Sequence, residues 1–389
     1  MSVTAAQGFT AAGIAAGIKA NGNPDLALVV NNGPRLAAAG VFTSNRVKAA
    51  PVLWSEQVLR GGTVGAVILN SGGANACTGP KGFQDTHATA EKVAEALNGL
   101  GGGEHNAGEV AVASTGLIGV LLPMDKLLPG IDTAAAALSA DGGEDAAIAI
   151  KTTDTVHKTA TVSQGGWTVG GMAKGAGMLA PGLATMLVVL TTDADVDSAT
   201  LDTALRSATR TTFDRVDSDG CMSTNDTVLL LASGASGQVP AYEEFAEAVR
   251  TVCHDLARQL IGDAEGASKD IRIEVIGALD EDDAVEVGRS IARNNLLKCA
   301  IHGEDPNWGR VLSAIGTTKA AFDPDRLNVA INGVWVCKNG SVGEDRDLVS
   351  MKDREVHITA DLSNGTESAV IWANDLTAEY VHENSAYSS

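Results

Sequence analysis

The feature that most constrains the fold of this chain is a glycine-rich segment that runs through one hydroxyl residue into an apolar run. It occupies residues 172–194, with the sequence MAKGAGMLAPGLATMLVVLTTDA, and the hydroxyl residue is Thr185. The β-prone run of residues 186–190 follows at once. A strand that begins at its own hydroxyl residue is typical of an enzyme that cuts its own chain to release an N-terminal nucleophile.

Such a threonine would cleave the chain directly in front of itself. Its hydroxyl attacks the carbonyl of Ala184, the peptide rearranges to an ester, and water releases a new chain that begins at Thr185. The freed α-amine serves as the base, since its pKa of about 7.7 to 8.0 leaves part of it unprotonated near neutral pH. The local pattern also allows an ordinary loop before a buried strand, with Thr185 as strand filler.

A longer motif favours the first interpretation. The string KGAGMLAPGLATML at residues 174–187 resembles the self-cleavage signature of the ornithine acetyltransferases, also called glutamate N-acetyltransferases, of arginine biosynthesis. Further strings similar to this family are NSGGANACTG at 70–79, STGLIG at 114–119, HGEDPNWGRVLSAIG at 302–316 and ENSAYSS at 383–389. The resemblance implies cleavage between Ala184 and Thr185, into an alpha fragment, 1–184, with the oxyanion-hole segment, and a beta fragment, 185–389, that starts at the nucleophile.

The Ser-Thr-Gly at residues 114–116 follows a predicted strand at 110–113. Acyl transfer places negative charge on a carbonyl oxygen in its transition state, so hydrogen-bond donors must already point there. A strand end followed by Thr-Gly supplies a hydroxyl and an unobstructed backbone N–H, although such a pair is more often an ordinary turn. The resemblance assigns the oxyanion hole to Thr115 and Gly116.

The resemblance also implies a set of substrate contacts on both fragments. These are Thr152, Lys174, Thr185, Glu265, Asn384 and Ser389. Near the nucleophile, the charge of Lys174 could hold a substrate carboxylate or lower the pKa of the amine by like-charge repulsion. The family uses Glu265 to contact the substrate's amino group. A polar tail such as residues 382–389 is usually frayed, but in the family it folds over the pocket and excludes water.

Composition and charge narrow the class of partner. The 389 residues include 28 basic and 48 acidic ones, a formal net charge of -20, which argues against nucleic acid or an anionic membrane as partner. The N-terminus lacks the basic and continuous apolar segments of a signal peptide, so a cytoplasmic protein is expected. Five scattered cysteines without CxxC spacing indicate reduced thiols. No paired histidine spacing and no nucleotide loop pattern occur, and neither a metal nor another cofactor is expected.

The order of elements predicts an α/β fold. Short apolar strands alternate with helices, among them a helix over 85–97, a hairpin of 159–162 with 167–170, and a helix over 280–298. The pattern restarts after Thr185, and three late strands are expected at 327–331, 356–360 and 369–372. The polar loop 219–227 is expected to support the site without a named role. The resemblance implies stacked mixed β-sheets flanked by helices, similar to other N-terminal-nucleophile enzymes.

The resemblance implies a function in two alternating half-reactions. Thr185 takes acetyl from N2-acetyl-L-ornithine, releases ornithine, and hands the acetyl group to L-glutamate, and the fragments assemble as a heterotetramer of two alpha and two beta chains. Family members that also use acetyl-CoA share these motifs, so the motifs do not decide whether this chain uses one acetyl donor or two. A self-processing amidase or aminopeptidase and a non-enzymatic binding protein with an intact chain are the alternatives.

Overall fold

The computed structural model describes residues 2–101, 104–180 and 186–386, and these divide into two compact units. Unit 1 comprises the described residues of Met1–Asp214 and Cys221–Asp263. Unit 2 comprises those of Arg215–Gly220 and Ala264–Ser388.

Strands and helices alternate along the described residues. The strands are β1 (Phe9–Ile14), β2 (Leu26–Asn31), β3 (Ala37–Phe42), β4 (Ala66–Asn70), β5 (Val110–Ser114), β6 (Lys158–Gln164), β7 (Trp167–Lys174), β8 (Leu187–Thr192), β9 (Thr227–Ala232), β10 (Asp270–Ala278), β11 (Asn328–Ile331), β12 (Val334–Lys338), β13 (Ser341–Val342), β14 (Glu355–Asp361) and β15 (Glu367–Asn374). The α-helices are α1 (Ala50–Val58), α2 (Gly79–Gly99), α3 (Met124–Ala136), α4 (Gly143–Ala149), α5 (Ser198–Thr211), α6 (Tyr242–Gly262), α7 (Glu281–Ala292), α8 (Asn295–His302), α9 (Trp308–Ile315) and α10 (Ala378–Ala386).

Two mixed sheets stack on each other in unit 1. The first has the order β1-β2-β4-β5, in which β4 and β5 are parallel. The second has the order β3-β9-β8-β7-β6, in which β8 and β9 are parallel. Alternate residues of both sheets, including Val29, Leu69, Val189 and Leu229, form one buried cluster. The two sheets therefore pack face to face across a shared apolar core.

Helices cover the outer faces of both sheets in unit 1. Val93 of α2 and Ile131 of α3 pack with Leu28 and Ile68 on the first sheet, on the face away from the shared core. Helix α6 packs on β6 and β7, and α5 packs on β3. Because β2, β4, β5, β8 and β9 are buried along their whole length, they appear in the sequence as continuous apolar runs. The prediction of an α/β fold with stacked mixed sheets flanked by helices is confirmed.

Unit 2 is built on one six-stranded sheet of order β13-β12-β11-β14-β10-β15. Strands β10 and β14 are parallel, and β15 runs antiparallel to β10 at the sheet edge. Val287 of α7 and Val311 of α9 share one buried cluster with Ile273 and Ile358. Along β10 and β14, buried residues alternate with partly or fully exposed ones over most of the strand, because helices cover only one face of the sheet.

The predicted cleavage point lies between two strands that pair with each other. Strand β7 ends at Lys174 and β8 begins at Leu187, and these two residues are partners in the antiparallel ladder. The expected fragments 1–184 and 185–389 would therefore both supply strands to the second sheet. The compact units divide the chain at other points than the predicted fragments do.

The single helix predicted over 280–298 is wrong, because the chain forms two helices there, α7 and α8. Between them Asn294 adopts an extended backbone, and its side chain accepts a hydrogen bond from the Leu297 N–H at 2.9 Å. Asparagine at this position caps a new helix. The helix predicted at 85–97 is present but begins earlier, at Gly79, with Pro80 in its first turn.

The hairpin of β6 and β7 and the three late strands are confirmed, although the bounds of each strand differ from the predicted ones by one or a few residues. Strands β1, β12 and β13 were not predicted. Within the ranges 2–101, 104–180 and 186–386, no helix combines the length and the apolar character needed to span a bilayer.

Candidate active site

Two glycine-rich loops of unit 1 follow the neighbouring strands β4 and β5 of the first sheet. Strands β4 and β5 are parallel and in register, so that Asn70 pairs with Ser114 at their carboxyl ends. The Asn70 side chain donates to the Ser114 hydroxyl at 2.6 Å, and the Thr115 N–H donates to the Asn70 carbonyl at 2.9 Å. Loop 70–79 and segment 115–119 are therefore held together at the carboxyl ends of β4 and β5. In α/β sheets, ligands bind beside such strand ends.

Gly116 has a backbone that no other residue could adopt without strain. Its φ is +130°, and a Cβ built there would lie 2.8 Å from the Gly73 nitrogen. Among the described residues, none accepts a hydrogen bond from the Gly116 N–H. Thr115, beside it, is 3% exposed. This segment therefore presents a backbone donor and a hydroxyl together, the equipment that an oxyanion hole needs.

Asn225 links these strand ends to the polar loop 219–227, which was expected from the sequence to support the site without a named role. Its side-chain amide donates to the Ala74 carbonyl at 2.6 Å and to the Ser114 carbonyl at 2.8 Å. Asn225 is 4% exposed, so both bonds are shielded from water. One amide thus joins the loop before β9 both to loop 70–79 and to the residue before Thr115.

Lys174 reaches the same place from the second sheet. It is the last residue of β7, it is 1% exposed, and its Nζ lies 3.5 Å from the Thr115 Oγ1. The structure therefore brings together Lys174 and Thr115, which are 59 residues apart in the sequence. A buried ammonium beside a hydroxyl can attract a substrate carboxylate more strongly than an exposed one, because the surroundings screen its charge less.

Asp154 is the carboxylate that accompanies Lys174. Its Oδ2 lies 4.0 Å from the Lys174 Nζ and accepts the Thr152 N–H at 3.0 Å. Its Oδ1 accepts the Lys158 Nζ at 2.7 Å and the Gly175 N–H at 2.6 Å. Burial alone would raise the pKa of Asp154, but the charges of Lys174 and Lys158 and these hydrogen bonds hold the pKa well below its usual range. Asp154 is therefore ionised at neutral pH, and it ties Thr152 to the end of β7.

Asp226 lies at the start of β9 and has the opposite character. Its Oδ1 accepts the Met186 N–H at 3.1 Å, and the residue is fully buried. Burial raises the pKa of Asp226 well above its usual value of 3.8, and the hydrogen bonds to the carboxyl only partly oppose that effect. The carboxyl of Asp226 therefore stays protonated to a higher pH than that of an ordinary aspartate.

Unit 2 holds two other predicted substrate contacts close together. The Asn384 side-chain amide of α10 donates to the Glu265 Oε2 at 2.9 Å, and Glu265 is 8% exposed. Helix α10 packs closely on the adjacent glycine, since a Cβ on Gly266 would lie 2.3 Å from the Tyr380 nitrogen. The Thr377 hydroxyl also donates to the Gly266 carbonyl at 2.6 Å. The predicted pair of Glu265 and Asn384 is thus in direct contact.

Three predicted residues, Ala184, Thr185 and Ser389, lie outside the described residues. Sequence reasoning missed Asp154, Lys158, Asn225 and Asp226 as individual residues. One signal was available for two of them, since Asp154 and Asp226 are acidic residues within a few positions of a strand that is otherwise apolar or threonine-rich. An acidic side chain in such a position is seldom buried without a specific partner.

Comparisons with known proteins give a consistent family. The family model described as ArgJ family matches residues 10–389. The arginine biosynthesis bifunctional protein ArgJ of Streptomyces avermitilis is 84% identical over the full length of both chains, and that of Streptomyces coelicolor is 79% identical over the same extent. A solved ornithine acetyltransferase from Mycobacterium tuberculosis, complexed with ornithine, is 62% identical, with a TM-score of 0.46 over 48% of this chain and 96% of that one.

The clash at Gly116 predicts the effect of adding a methyl group. Gly116→Ala should lower the rate of acyl transfer by about a hundredfold, the cost of losing one oxyanion donor, because the new Cβ would push the loop away from Gly73. Gly119→Ala is the matched control, since Gly119 also has a positive φ, +85°, but nothing lies within 4 Å of its Cβ. Gly116→Ala adds both backbone strain and a clash, whereas Gly119→Ala adds backbone strain alone, and steady-state rates of the two variants separate these effects. Equal losses in both variants would contradict the assignment.

The raised pKa of Asp226 predicts a pH-dependent change in stability. Because the pKa of Asp226 is higher in the folded protein than in the unfolded chain, the unfolded chain gains charge first as the pH rises above about 3.8, and stability falls. Asp226→Asn keeps an oxygen for the Met186 N–H but has no proton to lose. Its melting temperature relative to wild type should therefore be more favourable at pH 7.5 than at pH 4.5. Thermal unfolding at both pH values tests this. An equal difference in melting temperature between variant and wild type at the two pH values would contradict a raised pKa of Asp226.

Proposed function

The chain belongs to the ArgJ family, and on that premise we propose that it is a glutamate N-acetyltransferase of arginine biosynthesis. It moves an acetyl group from N2-acetyl-L-ornithine to L-glutamate through an acetyl ester on Thr185. The nucleophile is made by cleavage between Ala184 and Thr185, and the mature protein consists of fragments 1–184 and 185–389.

One observation carries this proposal: a buried ammonium, a buried hydroxyl and the start of β8 meet at one strand end. Lys174 lies 3.5 Å from Thr115 and pairs with Leu187 in the ladder of β7 and β8. Two peptide units join Thr185 to Leu187, and they span at most about 7.6 Å between Cα atoms. This short connection supports a nucleophile at Thr185 close to Lys174 and the candidate oxyanion hole.

Cleavage comes first in the proposed cycle. The Thr185 hydroxyl adds to the Ala184 carbonyl, the carbon–nitrogen bond breaks, and the Thr185 nitrogen takes the proton to become an amine. Water then hydrolyses the ester and leaves a carboxylate on Ala184. Asp226 holds the Met186 N–H through this change. Burial raises the pKa of Asp226, which favours its uncharged form and so limits the negative charge that would raise the pKa of the new amine.

The first half-reaction forms the acetyl-enzyme. The Thr185 amine takes the proton of its own hydroxyl while the oxygen attacks the acetyl carbonyl of N2-acetyl-L-ornithine. The Thr115 hydroxyl and the Gly116 N–H donate to the oxyanion, and the proton then passes to the leaving amine of ornithine. The positive charge of Lys174 nearby holds the substrate carboxylate and keeps the amine of Thr185 partly unprotonated.

The second half-reaction reverses these steps with L-glutamate. Its unprotonated amine attacks the acetyl ester, a proton returns through the Thr185 amine to the threonine oxygen, and N-acetylglutamate leaves. Glu265 binds the amino group of the ornithine side chain in this scheme, and Asn384, whose amide donates to Glu265, is a further substrate contact. The terminal Ser389 completes the substrate contacts, and exclusion of water by the tail keeps the ester from hydrolysis. The active form is a heterotetramer of two alpha and two beta fragments in the cytoplasm.

A second donor is favoured by the names of the relatives. Both Streptomyces proteins are called bifunctional, and we propose that this chain also acetylates glutamate with acetyl-CoA. The acetyl-enzyme on Thr185 is common to both reactions, so the two activities differ only in the group that leaves.

Chain cleavage gives the most direct prediction. Purified wild-type protein should show two fragments, residues 1–184 and 185–389, in denaturing mass spectrometry, and Thr185→Ala should remain one inactive chain because it lacks the attacking oxygen. Thr191→Ala, a change at a buried threonine of strand β8, is the control that should cleave normally. Fragments of normal mass from Thr185→Ala, or an intact chain in active wild-type protein, would contradict the mechanism.

The acceptor distinguishes transferase from hydrolase. With N2-acetyl-L-ornithine, release of ornithine should be slow alone and should increase at least about tenfold when glutamate is added, since a sheltered ester waits for an amine. N-acetylglutamate should form in equal amount, and a parallel assay with acetyl-CoA tests the second donor. Free acetate produced at the same rate with and without glutamate would instead indicate a self-processing amidase.

A further inference from the structure

The carboxylate of Asp154 joins two predicted substrate contacts that are far apart in the sequence. It accepts the Thr152 N–H at 3.0 Å, and it accepts the N–H of Gly175, the residue after Lys174, at 2.6 Å. It also lies 4.0 Å from the Lys174 ammonium. Each of its two oxygens therefore contacts one of these two segments of chain, and one carboxylate sets the distance between them.

The charges around Asp154 balance within a buried cluster. Lys158 is 0% exposed and Lys174 is 1% exposed, so two ammonium groups lie out of water. Asp154 and Asp263 supply the two carboxylates, and Asp263 binds the Lys158 Nζ at 2.6 Å. A buried charge without a partner costs several kcal/mol in a real protein, at roughly the size of a whole domain's net stability. Among these four groups the two positive and two negative charges cancel.

The two aspartates differ in what else they touch. Asp263 contacts Lys158 and the backbone at Thr155 and Val156. Within the described part of the chain it makes no hydrogen bond or ion pair with Lys174 or Thr152. Asp154 contacts Lys158 as well, and it alone of the two reaches the end of β7. The pair offers a comparison in which the same charge is removed from the same cluster.

We propose that Asp154 is a positioning residue that holds the Lys174 ammonium and the Thr152 backbone in place to bind the substrate carboxylate. This inference rests on the proposed function, because it assigns a substrate carboxylate to Lys174. Asp154 itself does not touch substrate. Its carboxylate is the counter-ion of the buried Lys174 ammonium, and it accepts hydrogen bonds from the backbone on either side of the binding position.

Other charged groups also face Lys174 and enter the pH behaviour. Lys19, in the loop after β1, is close enough to repel it, and the buried Asp226 at the start of β9 is close enough to attract it when ionised. The amine of Thr185 adds a positive charge when protonated. The Asp154 carboxylate lies 4.0 Å from the Lys174 ammonium, so its removal takes away a negative charge that favours the protonated form of Lys174 as the pH rises.

The test compares three variants with wild type. Asp154→Asn and Asp263→Asn each remove one negative charge from the cluster and should lower the melting temperature by similar amounts. Of these two single variants, only Asp154→Asn should raise the KM for N2-acetyl-L-ornithine. The expected increase is about tenfold or more at pH 7 and larger at pH 9, with a smaller change in kcat. The KM of Asp263→Asn should stay within about threefold of wild type at both pH values.

The double variant Asp154→Asn with Lys158→Met separates positioning from charge balance. It removes one charge of each sign, so the cluster keeps the zero net charge that it has in wild type, and it carries the test if Asp154→Asn does not fold. Its KM should stay raised, because Lys174 still lacks its carboxylate.

A KM that follows the melting temperature across all three variants, or one that does not change in Asp154→Asn, would overturn the inference. These outcomes are separate from failure of the proposed function, which would appear as wild-type protein that neither cleaves nor transfers acetyl.

Discussion

A lysine ammonium buried at the end of a strand needs a carboxylate close by, and this need organises unit 1 around Lys174 and Asp154. The carboxylate binds the backbone on both sides, so that the turn before β6 and the end of β7 cannot move apart. The same ammonium lies beside Thr115, where the two glycine-rich loops leave the first sheet. Because water is excluded there, a charge acts over a longer range than it would at the surface.

Two aspartates near this point show how environment decides charge. Asp154 is surrounded by ammonium groups and backbone donors, which hold its pKa low in spite of burial. Asp226 is buried with weaker support, and its pKa rises. One therefore serves as a counter-ion, and the other, which stays protonated to a higher pH than an ordinary aspartate, accepts a hydrogen bond from Met186. Pairs of carboxyl groups with separated pKa values are common where acid–base chemistry occurs.

The ladder of β7 and β8 explains how a chain could be cut here without coming apart. The two strands pair from Lys174 to Val169 on one side and from Leu187 to Thr192 on the other. Residues from both strands are buried in the core between the sheets. Cleavage at Thr185 would change the covalent connection but leave these hydrogen bonds and apolar contacts in place, so the fragments should stay associated.

The sequence by itself determined the local features: the glycine-rich approach to Thr185, the apolar strands on either side, the hairpin of β6 and β7, and the Thr-Gly turn after β5. Each depends on neighbouring residues, and so does the family motif. Only the tertiary structure decided that Asp154 reaches Gly175, 21 residues away, and that Asn225 binds the Ser114 carbonyl across 111 residues. The helix break at Asn294 was also missed, because helical periodicity continues through it. Such contacts depend on which strands become neighbours, and no local pattern specifies that choice.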